Sequence, residues 1–73
     1  MKKNPYSKEY KNLGQKLKSE RLKASLEQKD LSKVIGKTQS YISKIEEGKL
    51  RIDLFELKQL SKLYKKDINY FIE

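Results

Sequence analysis

Residues 26–49 read LEQKDLSKVIGKTQSYISKIEEGK, and the organisation of the whole chain turns on this stretch. Leu31, Val34 and Ile35 recur at helical spacing and are expected to face inward. Gly36 follows where a left-handed residue ends a helix. Thr38 is a good amino-terminal cap, and Tyr41, Ile42 and Ile45 follow it before Gly48. The spacing predicts one helix from about Gln28 to Ile35, with Leu26 packing ahead of its first turn. It predicts a second from Thr38 to Gly48. Only Gly36 and Lys37 lie between, and so short a link containing glycine favours a steep crossing over an antiparallel pair. The second helix then projects with an uncharged first turn, Gln39 and Ser40, in a chain crowded with lysine.

The flanking sequence is also helical. Upstream, a helix is expected to begin between Ser7 and Asn12 and to run to about Ala24. Its apolar stripe is Tyr10, Leu13, Leu17 and Ala24, and Gly14 should weaken it by about 1 kcal/mol relative to alanine. Past Leu17 the stripe lands on Glu20 and Arg21. A charge on a core face needs a partner, and Glu46, which interrupts the stripe of the projecting helix, is the natural one for Arg21. Downstream, Asp53 and Glu56 form a capping box, and Ile52 can staple onto Leu57. Leu54, Leu57, Leu60, Ser61 and Tyr64 are expected on the inner face of that helix. A last short helix should start at Asp67 and carry Ile68, Phe71 and Ile72. No stretch alternates as a strand does. The fold class is therefore all-α, a compact bundle of five helices. Residues 1–9 are expected to form a flexible basic arm and residues 10–73 the single domain.

Composition narrows the chemistry. The 73-residue chain has no cysteine and no histidine. Disulfides, thiolate metal sites and the commonest general base are thereby excluded. No metal, cofactor or small-molecule ligand is expected. Glu46 and Glu47 are adjacent, but neighbouring helical side chains point about 100° apart, so paired-carboxylate catalysis is not expected and no residue is a catalytic candidate. The net charge is +8 and the pI about 9.7, which favours a polyanionic partner. No apolar run approaches the roughly 20 residues of a membrane span. The lysines near the start have no hydrophobic segment behind them, as a secretory signal would. A cytoplasmic, nucleoid-associated location is expected, with no membrane partner.

A protruding first turn of Gln39 and Ser40 suits the reading of base edges. Glutamine can bond adenine through N6 and N7 together, and serine adapts to donors or acceptors. At 1.5 Å per residue the projecting helix would be roughly 15 Å long, which fits across a major groove.

Residues 26–49, with Gln28 opening one helix, Leu31–Ser32 within it, Gly36 in the turn and SYISKIEEG through the next, resemble the helix-turn-helix of the Cro and phage-repressor family. The resemblance extends upstream to Leu13, Gly14 and Arg21 and downstream through DLFELKQLSKLYKKDINYF. It implies a repressor-like DNA-binding domain with the helix-turn-helix at its second and third helices. It implies that Gln39, Ser40 and Lys44 face bases and that Gln28 bonds a phosphate, as a helix amino terminus favours. Lys37, Thr38, Tyr41, Ser43, Lys49 and Arg51 are the further candidates for contact with the DNA backbone. It also implies the ion pair of Arg21 with Glu46. The sequence departs from the family pattern at Glu27, Glu47 and Ile52, and the two acids would weaken a phosphate grip.

The expected function is that of a sequence-specific regulator of double-stranded DNA, a repressor reading a palindromic operator. The alternative is a protein-interaction module on the same fold, such as an antitoxin, which is expected to carry a long tail beyond Glu73. Because one short helix touches few base pairs, a homodimer on DNA is expected, with half-sites about 34 Å apart. Ile68, Tyr70, Phe71 and Ile72 are the expected source of an apolar interface.

Overall fold

The computed structural model describes residues 8–73, which form five helices. These are α1 (Lys8–Lys23), α2 (Gln28–Ile35), α3 (Gln39–Glu46), α4 (Leu54–Tyr64) and α5 (Ile68–Ile72). The expected arm lies outside the described residues as far as residue 7; Lys8 and Glu9 belong to α1. The starts follow from short side chains that accept otherwise unpaired backbone N–H groups. Thr38 Oγ1 accepts from the Tyr41 N–H at 3.1 Å. Asp53 accepts from Phe55 at 2.7 Å and Asp67 from Asn69 at 2.9 Å. Glu56 accepts in turn from the Asp53 N–H at 3.3 Å, which closes the capping box of α4. Glu27 begins α2 by donating its N–H to Asp30 Oδ2 at 2.7 Å.

The turn between α2 and α3 is set by Gly36 at φ 70° and ψ 33°. The following Lys37 N–H donates back to the Ser32 carbonyl at 3.0 Å, so orphan carbonyls at the end of α2 are satisfied. The chain leaves the left-handed residue, passes Lys37 and is capped again at Thr38.

Every helix contributes to one core. Leu13 and Leu17 come from α1, Leu31 and Ile35 from α2, Ile42 and Ile45 from α3, Leu57 and Leu60 from α4, and Phe71 from α5. Tyr10, Leu26, Ile52 and Tyr64 pack around it half-buried. Three expected inward residues are not inside. Val34 is 43% exposed and Leu54 60% exposed, and Ala24 lies exposed beyond the end of α1. At 100° per residue, Val34 sits about 80° from the mean direction of Leu31 and Ile35. Leu54 is the first residue of α4 and projects past the core. Phe55, one residue on, is 70% exposed. The apolar surface expected from α5 is likewise reduced, because Phe71 is buried and Ile68 and Tyr70 are half-buried, leaving Ile72 exposed.

Both charges on the inner stripe of α1 have partners. Arg21 Nε donates to Glu46 Oε2 at 2.7 Å and its Nη2 to Glu46 Oε1 at 3.1 Å. Arg21 Nη1 reaches the Leu26 carbonyl at 2.9 Å. Buried Glu20 accepts from Tyr70 Oη at 3.1 Å, which joins α1 to α5. Lys16 reinforces that junction by donating to the carbonyl oxygens of Tyr70 and Glu73 at 2.9 and 3.1 Å. Gly14 overturns its sequence reading. A Cβ there would lie 2.5 Å from the carbonyl oxygens of both Ile45 and Glu46. Glycine is what lets the backbones of α1 and α3 meet. No helix among the described residues is long and apolar enough to cross a membrane.

Candidate nucleic-acid interface

α3 has eight residues, about 12 Å of helix. Ile42, Ile45 and Glu46 are its buried face. At 100° per residue, Gln39, Ser40, Ser43, Lys44 and the capping Glu47 fall within an arc of roughly 140° that borders the buried face at Gln39, about 20° from Glu46, and turns away from it toward Lys44. Gln39, Ser40 and Lys44 are exposed, and among the described residues their side chains make no hydrogen bond or ion pair. Their donors and acceptors are free to be used by a ligand.

The inner side of α3 is held by polar contacts as well as by packing. The Arg21 and Glu46 side chains of the ion pair are 8% and 3% exposed. The bond to Glu46 and its negative charge raise the Arg21 pKa against the cost of burial, so the guanidinium stays charged. Gln28 Nε2 donates to Glu46 Oε1 at 3.1 Å. The side chain that the resemblance places on a phosphate is thus turned inward, half-buried, to complete the partners of Glu46.

The candidates for backbone contact divide by their neighbours. Thr38 is spent on capping α3. Tyr41 Oη donates to Glu56 Oε1. Lys37 Nζ lies 3.7 Å from Glu56 Oε2 and 5.4 Å from the centroid of the Tyr41 ring. Ser43 Oγ donates to Glu47 Oε2 at 3.4 Å, and Lys49 Nζ pairs with Glu47 Oε1 at 3.2 Å. Arg51 stacks its guanidinium over Tyr10 at 5.4 Å. Lys37, Lys49 and Arg51 remain exposed, and exposed pairs exchange partners at little cost. Glu56 and Tyr10 are the contributors that the sequence did not single out here. The capping box made Glu56 visible as a helix starter, but nothing local shows that the same carboxylate reaches Tyr41 and Lys37. Among the described residues no group of three metal-ligating side chains converges.

Burial and the bond to Glu56 push the Tyr41 hydroxyl up to about 12 from its ordinary 10. Tyr64, whose buried hydroxyl has no hydrogen-bond partner among the described residues, is shifted in the same direction by burial and by the charge of Glu46. A pKa raised by folding gives stability that is complete below the unfolded value and is lost as pH rises through the folded one. We expect the fold to weaken between pH 10 and 12, by on the order of 2 kcal/mol for Tyr41. Denaturant titrations across that range test this. Tyr41→Phe should flatten the decline, and an equal decline in the variant would contradict it.

The sequence matches the helix-turn-helix family over residues 17–71, from the middle of α1 to the end of the core in α5. The chain belongs to the Cro/C1-type helix-turn-helix family. In this Cro/C1-type domain α2 and α3 are the helix-turn-helix, and the protein is a DNA-binding regulator with DNA as its partner. No curated protein matches the chain significantly.

Proposed function

We propose that the protein is a sequence-specific repressor that reads a palindromic operator in double-stranded DNA by laying α3 in the major groove. The observation that carries this reading is the outer face of α3. Among the described residues Gln39 and Ser40 stand exposed, uncharged and unengaged at its amino end, while Glu46 at its other end is locked to Arg21 and Gln28. Side chains that are free, on a helix that is fixed, are what base reading requires. Lys44 follows on the same face as a third base contact. Lys37, Lys49 and Arg51 flank the helix and would neutralise phosphates, with Thr38, Ser43 and the amino end of α2 at Gln28 close to the backbone.

The form on DNA is a homodimer, since one α3 reads too few base pairs to define a site and twofold symmetry doubles them. Exposed Leu54, Phe55 and Ile72 supply apolar surface for association. Such a protein works in the cytoplasm, on the nucleoid, and its action is occupancy of DNA, not catalysis.

Gln39→Ala tests base reading. It should cost about 1–3 kcal/mol on the preferred duplex and far less on a scrambled one. Titration of both duplexes at one salt concentration measures the difference. Equal losses would make Gln39 a backbone contact and contradict its assigned role.

A further inference from the structure

Three segments meet at Glu56. It is the third residue of α4, its residue is 9% exposed, and one carboxylate serves three neighbours. Oε1 accepts from the Asp53 N–H at 3.3 Å and from the hydroxyl of Tyr41. Oε2 faces Lys37 Nζ at 3.7 Å. Asp53 belongs to the start of α4, Tyr41 to the first turn of α3, and Lys37 to the link between α2 and α3. Capping needs only the first of these contacts. The other two tie α4 to the end of α3 that carries Gln39 and Ser40.

We propose that Glu56 is a positioning residue for DNA reading, which clamps the amino end of α3 through the Tyr41 hydroxyl and holds Lys37 in reserve. The inference rests on base reading by α3, and it reassigns Tyr41. Its hydroxyl is engaged inward and is not a phosphate contact. The direction of the side chain agrees, because Tyr41 lies about 160° around the helix from Gln39 and is half-buried against the core. The phenol is protonated at neutral pH and donates to the carboxylate, and the raised pKa extends that donating form to higher pH.

Lys37 behaves differently. Its ammonium is about half exposed and its distance to Glu56 is long for an ion pair. A phosphate can take it over, and the carboxylate then keeps Tyr41. The arrangement separates two properties. The hydroxyl-to-carboxylate bond sets the orientation of the reading turn, and so specificity. The charge of Glu56 opposes release of Lys37, and so lowers affinity for any sequence.

Binding to a selected duplex and to a scrambled one, each at several salt concentrations, distinguishes these roles. Tyr41→Phe keeps the ring and removes the clamp. It should reduce the ratio of selected to scrambled affinity roughly tenfold, the scale of one misread base pair. Glu56→Gln keeps an acceptor for Tyr41 and removes the charge. It should preserve that ratio and leave the log–log salt slope nearly unchanged, since Lys37 neutralises the same phosphate, while affinity for both duplexes rises by a similar factor because no carboxylate has to release the lysine. Glu56→Ala combined with Tyr41→Phe should lose no more discrimination than Tyr41→Phe alone. Circular dichroism confirms that each variant is helical. Equal weakening on both duplexes by Tyr41→Phe, or a full additional loss in the double variant, would overturn the clamp. A wild-type protein unable to tell the duplexes apart would instead overturn base reading, and positioning with it.

Discussion

Arg21→Ala should destabilise the fold by about 3–5 kcal/mol, the scale of breaking a buried ion pair from one side. A chain of this length is expected to hold about 4–11 kcal/mol in all, so the variant would be partly unfolded at moderate temperature. The loss comes from the carboxylate left behind more than from the missing attraction. Glu46 is 3% exposed at its side chain and would keep only the 3.1 Å bond from Gln28. Lys23, 67% exposed and 3.5 Å from a Glu20 carboxylate that keeps its own 3.1 Å bond from Tyr70, is the internal control. Lys23→Ala should change stability by no more than about 0.5 kcal/mol. Replacing both buried partners with apolar residues, Arg21→Met with Glu46→Leu, should recover much of the loss, since no charge is then stranded. Chemical denaturation of the four proteins measures all of this. An Arg21→Ala loss as small as that of Lys23→Ala would contradict the buried pair.

Gly14→Ala should be the other severe change, and its sign is set by a contest. On propensity alone, alanine in the interior of α1 would gain about 1 kcal/mol. The added methyl meets the Ile45 and Glu46 carbonyl oxygens at 2.5 Å. These are backbone atoms, so no side chain can rotate away, and α1 and α3 must part. Overpacking typically costs about 1–3 kcal/mol, and a rigid obstacle places this site at the upper end. A net loss of about 2 kcal/mol is expected. Because Glu46 sits on the displaced segment, the Arg21 contacts should suffer too, which makes the effect on DNA binding larger than that of a surface change. Thermal denaturation measures the loss; a variant as stable as the parent would show that α1 and α3 are more loosely packed than described.

Gly14 also shows where sequence reading stops. Its propensity cost is local and visible, whereas its obstacle lies 31–32 positions away in α3. Features that one side chain decides with its own neighbours were legible. Thr38, Asp53 and Asp67 begin helices by reaching N–H groups two or three residues on. Gly36 ends α2 because the left-handed conformation is easy only for glycine. The end of α4 carries no such mark. Lys65 adopts φ 58° there, which costs a residue with a Cβ, and no composition rule points to it. Val34 is apolar but points about 80° from the stripe of α2, and Leu54 lies near the stripe of α4 but one turn ahead of the core; apolar character alone marks neither difference.

The same division runs through the interface. The contrast of Gln39 and Ser40 with a lysine-rich background was visible as text. The inward turns of Gln28 and Tyr41 were not, because Glu46 and Glu56 receive them only after distant helices have met. Phe55 carries no warning either; its exposure follows from a phase of α4 that Leu57 and Leu60 fix by facing the core.

The central claim is that a fixed α3 presents its outer face to base edges, twice, through a symmetric dimer. Selection from a pool of random duplexes addresses it most directly. The account predicts enrichment of one sequence with twofold symmetry, its half-sites about one helical turn, roughly 34 Å, apart. It also predicts that Gln39→Ala relaxes the preference at the same position in each half. A pool that emerges as random as it entered, bound only through salt-sensitive contacts, would contradict it.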